Sequence, residues 1–164
     1  MRPAASGHHS GSHPVPPDRR DLRPFRPLVS LSPDLQLLVP ARAENVAVIR
    51  HAFGGLADAL ALPDQVAADI KLAVTEACTN VVVHAYDGSE GPLEVDASIL
   101  DEQLTIIVRD HGAGIHPRPD SPGLGLGLPL IATLAQSLEL EGGNEDDPTE
   151  VRMTFELADE TPIA

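Results

Sequence analysis

The spacing of the apolar residues changes partway along this chain, from the period of a helix to that of a strand. Over residues 66–81 they recur at steps of three and four, which is the pattern of a helix with one buried face. Asp64 provides a start signal for this helix, and Asp87 with Gly88 a stop signal. Over residues 93–110 apolar and polar residues alternate instead, which predicts a hairpin that turns at 101–102.

The other predicted elements surround this helix and hairpin. They are a strand at 34–39, a helix at 44–62 in which Gly54 and Gly55 mark a candidate break or bend, a helix at 128–137, a strand at 138–141 and a final alternating strand at 151–157. This order predicts an α+β fold, a two-layer sandwich in which a mostly antiparallel mixed sheet is covered on one face by helices.

Composition divides the chain into a tail and one folded domain. Residues 1–33 are rich in Pro, Arg, Gly and Ser, so we expect a disordered tail there. We expect the folded domain at 34–158, where 42% hydrophobic residues in the chain as a whole suffice for a core, and a short C-terminal tail at 159–164.

The charge of the chain restricts its partners. Residues 1–33 carry five Arg against two Asp, whereas residues 34–164 carry six Lys or Arg against 23 acidic residues, a difference of −17. Such a domain repels nucleic acid and anionic membranes, and it favours a basic protein partner. The single cysteine, Cys78, and the lack of an apolar run of about 20 residues predict a cytoplasmic protein without a membrane span.

Three polar side chains interrupt the apolar helix at intervals of four residues. Glu76, Asn80 and His84 supply a carboxylate, an amide and an imidazole, and residues four apart lie on one face of a helix. A solvated stripe is one explanation, because such residues are mostly exposed. A functional row at the rim of the core is the other, and the remaining motifs favour it.

Glycines cluster at two places downstream. Asp110 follows a predicted strand and precedes Gly112 and Gly114, and a second run of glycines leads directly into a helix; its members are Gly123, Gly125 and Gly127. A dinucleotide-binding fingerprint requires a strand before the glycines, and a P-loop requires a following Gly-Lys-Ser/Thr, so neither motif fits. A glycine run that ends in a helix N-terminus suits a polyphosphate, and a carboxylate at a strand end can accept from an exocyclic amine such as that of adenine.

In this order, "EACTNVVVHAY", "DHGAGI" and "GLGLGL" resemble the N box and the two glycine boxes of the Bergerat-type ATP-binding superfamily, which includes gyrase and histidine kinases. The small size and the helix "ENVAVIR" are most similar to the anti-sigma-factor serine/threonine kinases. The resemblance covers about residues 35–157 and implies ATP and Mg²⁺ as cofactors.

The resemblance also implies roles for individual residues. Glu76 would be the general base, and Asn80 would coordinate Mg²⁺ through its amide oxygen. The nucleotide-binding residues would be His84, Asp110, Gly112, Gly114, Gly123, Gly125, Gly127, Leu128 and Thr149. His84 has a second interpretation, as a structural cap of its helix. Arg50 on "ENVAVIR" would contact the protein partners.

Three functions are compatible with these motifs. The leading hypothesis is a kinase that sequesters a sigma factor and phosphorylates an antagonist protein, and that forms a homodimer. The second is an ATP-binding regulatory module without phosphoryl transfer, which the short segment between the glycine boxes favours because Arg118 is its one cation. The third, a detached catalytic domain of a histidine kinase, is weaker because a single helix carrying His51 cannot supply the usual dimerised helical hairpin.

Overall fold

The computed structural model describes residues 33–112, 127–142 and 147–157. The chain divides into residues 1–30 and 31–164, and every described residue belongs to the second unit. The two predicted tails lie outside the described residues, apart from Pro33, and so do Gly114, Arg118, Gly123 and Gly125.

A five-stranded open sheet forms one layer of the domain. Its strands are β1 (Leu35–Pro40), β2 (Pro92–Leu100), β3 (Gln103–Asp110), β4 (Ser137–Glu141) and β5 (Thr149–Glu156). Their spatial order is β1-β2-β3-β5-β4, and each pairing between these described strands is antiparallel. The hairpin of β2 and β3 turns at Asp101 and Glu102 as predicted, both with positive φ.

Helices form the second layer. They are α1 (Ala43–Ala59), α2 (Asp64–Asn80), a π-helical turn that continues α2 (Val81–Ala85) and α3 (Gly127–Leu134). Their apolar faces pack on the alternating inward residues of β2, β3 and β5, and Phe53, Val74 and Ile106 lie fully buried in this core. The predicted two-layer architecture is therefore confirmed. No helix in the described stretches is both long enough and apolar enough to cross a membrane.

Several predicted boundaries were wrong by a few residues. The glycine pair does not break α1, which runs unbroken to Ala59 and ends before Ala61, whose φ is +51°. The helix that begins at Asp64 changes to π-helical hydrogen bonding at Val81, a change that apolar spacing cannot predict. α3 ends at Leu134, which leaves Ser137 to begin β4.

The sheet face away from the helices carries paired charges. Arg109 on β3 binds Asp96 on β2 and Glu150 on β5, the latter at 2.7 Å. Burial opposes the charged form of Arg109, but hydrogen bonds to these two carboxylates raise its pKa above the ordinary value. Arg152 contacts the same Glu150 at 2.6 Å, so the cations of this face are held by acidic neighbours.

Candidate functional site

Two polar side chains are buried at the end of the central strands. Asp110 is 6% exposed and Thr149 is 2% exposed. No other polar residue in the described part of the chain is buried. They are directly opposite each other in the pairing of β3 with β5. An isolated polar group in a core is costly unless it is hydrogen-bonded, so this pair requires an explanation.

The hydrogen bonds of the pair are incomplete. Asp110 Oδ1 accepts from the backbone N–H of Gly112 at 2.9 Å. The pKa of Asp110 is raised, and the nearby Thr149 hydroxyl opposes this rise. The hydroxyl oxygen of Thr149 nevertheless has no partner of hydrogen-bond geometry in the described part of the chain. A buried hydroxyl without a partner in the described part of the chain, beside a buried carboxyl group, can act as donor or acceptor for a polar ligand.

Burial is the main cause of the raised pKa at Asp110, and the hydrogen bond from the Gly112 N–H and the nearby His111 oppose the rise.

Gly112 packs closely against the end of the π-helical turn. A Cβ placed on it would lie 2.0 Å from the carbonyl oxygen of Ala85, which is closer than any real contact. The turn after β3 therefore requires glycine at this position because of close backbone approach.

Glu76 and Asn80 come together with the first residue of α3. A Cβ added to Gly127 would lie 3.2 Å from Asn80 Nδ2, 3.3 Å from Asn80 Oδ1 and 3.4 Å from Glu76 Oε2. The N-terminus of α3 thus begins against the carboxylate and the amide that the sequence pattern singled out. Both side chains are half-buried, so they line the rim of the core and not a fully solvated stripe.

His84 does not continue this row in the same way. It lies within the π-helical turn, where one turn contains more residues than in an α-helix, so the interval of four no longer keeps it aligned with Asn80. The imidazole makes no hydrogen bond to the described part of the chain. Leu128 packs against the core from the first turn of α3.

Tyr86 is a site residue that sequence analysis gave no role. Its hydroxyl donates to Pro92 O at 2.5 Å and accepts from the backbone N–H of His111 at 2.9 Å. Gly91 lies against the ring, since a Cβ there would be 2.0 Å from a ring carbon. Tyr86 therefore ties the turn after Asp110 to the start of β2. Tyr86 is the one tyrosine in a chain with 2% aromatic residues. This rarity is the sequence signal that could have identified it as a site residue.

Arg50 lies apart from these groups, exposed on α1. It lines a groove between α1 and α2 together with Lys71 and other residues. The structure thus brings together Glu76, Asn80 and Gly127 at one place, and Asp110, Gly112 and Thr149 at another.

Comparison with known proteins agrees with this arrangement. Residues 39–155 match the model of the histidine kinase-like ATPase domain. The chain belongs to this family. It is similar to the serine-protein kinase RsbW of Bacillus mycoides (strain KBAB4), with 31% identity over an alignment of 121 positions that covers 65% of this chain and 76% of that protein. RsbW of Halalkalibacterium halodurans is 36% identical over an alignment of 135 positions, and the match covers 73% of this chain and 81% of the relative.

A solved structure shares the fold. The structure of the RsbU and RsbW domains of Rv1364c from Mycobacterium tuberculosis superposes with a TM-score of 0.59 at 21% identity, covering 75% of this chain and 31% of that one. The predicted membership of the anti-sigma-factor kinase family, within the histidine kinase-like ATPase domains, is thereby confirmed.

Proposed function

We propose that this protein is an ATP-dependent protein serine/threonine kinase that acts as an anti-sigma factor, sequestering a sigma factor and phosphorylating an antagonist protein. The observation that carries the proposal is the contact of Glu76 and Asn80 with Gly127 at the start of α3. Binding a nucleotide needs no carboxylate at that place, whereas transfer to a hydroxyl needs a base. The names of the relatives, serine-protein kinase RsbW, support the same function.

Asp110 and Thr149 would hold the adenine. The Asp110 carboxylate would accept from the exocyclic amine, and the unpartnered Thr149 hydroxyl would gain a hydrogen bond to the ring or to the carboxylate. Gly112 keeps the following turn close to the helical layer, and Tyr86 fixes that turn from the other side. The glycines at 114, 123 and 125, which lie outside the described residues, would complete the site by their match to the family motif.

Glu76 would accept the proton of the serine or threonine hydroxyl as the phosphoryl group leaves ATP. Asn80, one helical turn further along, offers an amide oxygen of the type that Mg²⁺ prefers. Bound Mg²⁺ would offset phosphate charge in a domain whose formal charge over residues 34–164 is −17. Gly127 leaves room for phosphate oxygens between these side chains and the N-terminus of α3, and His84 would support the phosphates or cap its helix.

The partners follow from the same family. A sigma factor and an antagonist would bind in turn, with Arg50 as a contact for both, so that one excludes the other. A homodimer and a cytoplasmic location complete the proposal, with no direct contact to nucleic acid or membrane.

Replacing Glu76 by Gln tests the kinase. Glu76→Gln keeps the shape and hydrogen bonding of the side chain but cannot take a proton, so transfer from γ-labelled ATP to the antagonist should fall about 10²–10⁴-fold. ATP binding measured by calorimetry should persist in Glu76→Gln, whereas Asn80→Ala should weaken Mg²⁺-dependent binding itself.

The exposed Glu141 at the end of β4 offers a matched control, because Glu141→Gln makes the same chemical change at a residue to which the proposal gives no role. Equal turnover in Glu76→Gln and the unmodified protein would refute the mechanism. ATP binding without transfer in the unmodified protein would indicate the regulatory module instead.

A further inference from the structure

Gly142 lies just past the end of β4, level with Thr149. The last pair in the register of β4 with β5 joins Glu141 to Glu150, so the next position along brings Gly142 beside Thr149. On the other side of Thr149 lies Asp110, its partner in the pairing of β3 with β5. The first residue of β5 is therefore flanked by the proposed adenine acceptor on one side and by a glycine on the other.

The backbone at Gly142 excludes a side chain for two reasons. Its φ is +79°, a left-handed value that residues with a Cβ rarely adopt. A Cβ placed there would also lie 1.9 Å from the carbonyl oxygen of Pro148 and 2.9 Å from its carbonyl carbon. These are backbone atoms, so no flexible side chain could move aside. The Pro148 carbonyl group thus occupies the space that a side chain at position 142 would need.

The direction of the Pro148 carbonyl group affects how Thr149 begins its strand. The carbonyl of Pro148 and the N–H of Thr149 belong to one planar peptide unit, which turns as a whole. Turning this unit changes ψ of Pro148 and φ of Thr149. The pyrrolidine ring fixes φ of Pro148 at about −65°, so the torsion angle before the unit cannot absorb part of the change. A displaced carbonyl at Pro148 is therefore passed on to the backbone of Thr149.

The Thr149 hydroxyl must follow that backbone. Threonine is β-branched and has a restricted χ1, and Thr149 is 2% exposed, so its hydroxyl has little freedom to turn independently of the main chain. This hydroxyl is also the buried oxygen that lacks a hydrogen-bond partner in the described part of the chain. A rotation of the backbone would redirect it relative to Asp110 on the neighbouring strand.

We propose that Gly142 is a positioning residue for the nucleotide: by leaving room for the Pro148 carbonyl group, it directs the Thr149 hydroxyl toward the adenine. The inference rests on the proposed function, because it takes Asp110 and Thr149 to bind that base. Gly142 has no side chain to contact a ligand and acts through Thr149. The proposed general base, Glu76, lies on α2 and not on these strands, so the chemical step should not depend on Gly142.

A methyl group at position 142 tests the proposal. Gly142→Ala should raise the Kd for MgATP about fivefold in calorimetry, the effect of one lost hydrogen bond. The KM for ATP should rise by a similar factor, while kcat for transfer to the antagonist stays as in the unmodified protein. The melting temperature should fall, because the left-handed φ and the contact with Pro148 O both oppose a Cβ.

Gly88→Ala is the matched control for the strain of the backbone. Gly88 has a φ of +85°, and a Cβ there would meet nothing within 4 Å. Gly88→Ala therefore introduces a similar backbone strain without the close contact, so it should lower the melting temperature but leave the Kd for MgATP unchanged. An equal rise of this Kd in Gly88→Ala and Gly142→Ala would overturn the proposal, because a general loss of stability would then explain both.

Pro148→Ala provides a second variant, which adds no atom to the close contact. It frees φ of residue 148 and leaves Gly142 and the carbonyl group in place, so it should fold and raise the Kd for MgATP about twofold, through partial loss of the hydrogen bond to Thr149. A folded Gly142→Ala protein with an unchanged Kd for MgATP would overturn the proposal. If Gly142→Ala does not fold, an unchanged Kd in Pro148→Ala would do so.

A double-mutant cycle separates this inference from the nucleotide site on which it rests. Thr149→Val replaces the hydroxyl by a methyl group of similar size and should weaken MgATP binding by itself. Because Gly142 acts through that hydroxyl, Gly142→Ala should have little further effect in the Thr149→Val background. An undiminished effect there would refute the positioning role and leave the adenine site intact. Unchanged MgATP binding in Thr149→Val would instead refute the proposed role of Thr149, and the inference with it.

Discussion

Asp110 is the residue at which stability and binding oppose each other most directly. Its carboxyl is 6% exposed, and burial raises its pKa above the ordinary value of 3.8. The folded protein therefore holds this proton more tightly than the unfolded chain does. The associated stability is complete below pH 3.8 and is lost as the pH rises through the folded pKa. A ligand that contacts Asp110 would account for a buried acid whose stabilising effect is lost as the pH rises.

Replacing Asp110 by Asn should consequently stabilise the protein without nucleotide and weaken its nucleotide binding. Asp110→Asn retains an oxygen for the Gly112 N–H but avoids the buried charge, so its melting temperature should exceed that of the unmodified protein at pH 7 and approach it near pH 4. ATP affinity should fall by roughly 1–3 kcal/mol, because an amide cannot accept in both positions, and discrimination against GTP should weaken.

Thermal unfolding at the two pH values and calorimetry with MgATP provide the measurements for Asp110→Asn. Asp96→Asn is a suitable comparison, because Asp96 lies on the opposite face of the sheet, where it binds Arg109. An equal ATP affinity in Asp110→Asn would exclude this residue from the adenine site.

Among the elements, the π-helical turn at Val81–Ala85 decides how the site is assembled. It carries the chain from the row of Glu76 and Asn80 to the backbone of Ala85, against which Gly112 is pressed. Insertions of this kind recur at functional sites because they re-aim side chains and carbonyl groups. Here the turn brings the helical layer into contact with the loop that follows Asp110.

A methyl group at Gly112 should separate these two elements. In Gly112→Ala the new Cβ would lie 2.0 Å from Ala85 O, and backbone on both sides must shift because no flexible side chain can move away. We expect a loss of about 1–3 kcal/mol in the free energy of unfolding, as in other overpacked sites, and weaker ATP binding. Chemical denaturation and calorimetry test both effects.

Gly55→Ala is the control for that experiment, since it adds the same methyl group where no atom lies within 4 Å. It should unfold at the same or a higher denaturant concentration than the unmodified protein. A Gly112→Ala variant as stable as the unmodified protein would show that the turn adapts more easily than its contact with Ala85 suggests.

Element types were predictable from the sequence because burial imposes its own period on the chain. The alternation over 93–110 predicted the hairpin and its turn at Asp101, and the spacing of Glu76 and Asn80 correctly placed both on one helical face. The π-helical turn was not predictable, because apolar spacing does not distinguish π-helical from α-helical hydrogen bonding over so few residues. Gly54 and Gly55 suggested a break in α1, yet neighbouring residues such as Phe53 bury enough surface to hold the helix together.

At the scale of the site, motifs predicted residue types better than contacts. Asp110 was predicted from its position at a strand end. Its place opposite the unpartnered hydroxyl of Thr149, however, depends on the register of β3 with β5. That register joins two residues almost forty positions apart in the sequence. Tyr86 was missed because its significance depends on a neighbour from another part of the chain, the backbone N–H of His111.

For the whole molecule, charge decides which ligands can approach. Residues 34–164 carry 23 acidic side chains against six cations, and three of the described cations are already engaged in ion pairs. A field of this sign raises the local concentration of cations and lowers that of ATP, which is itself a polyanion. Adenine recognition at Asp110 must therefore act against a general repulsion, unless Mg²⁺ accompanies the nucleotide.

Salt should strengthen the binding of Mg²⁺-free ATP to this acidic domain. In EDTA, raising the salt from 10 to 150 mM shortens the screening length from about 30 to about 8 Å and so reduces the repulsion between domain and ATP. The affinity for Mg²⁺-free ATP should rise about threefold or more over this range, whereas binding of most anions to proteins weakens with salt. With excess Mg²⁺ the change should be much smaller, and adenosine, which has no phosphate charge, should bind equally at both salt concentrations.

Calorimetry or ligand-observed NMR with the full chain can follow all three ligands, and adenosine serves as the control for general effects of salt on the adenine pocket. Asn80→Ala sharpens the comparison, because loss of its amide oxygen should make binding in Mg²⁺ resemble binding in EDTA. If Mg²⁺-free ATP instead bound more weakly at 150 mM salt, the field at the phosphate site would be positive. Cations outside the described residues, with Arg118 between the glycine boxes the first to replace, would then carry the phosphates in place of the metal.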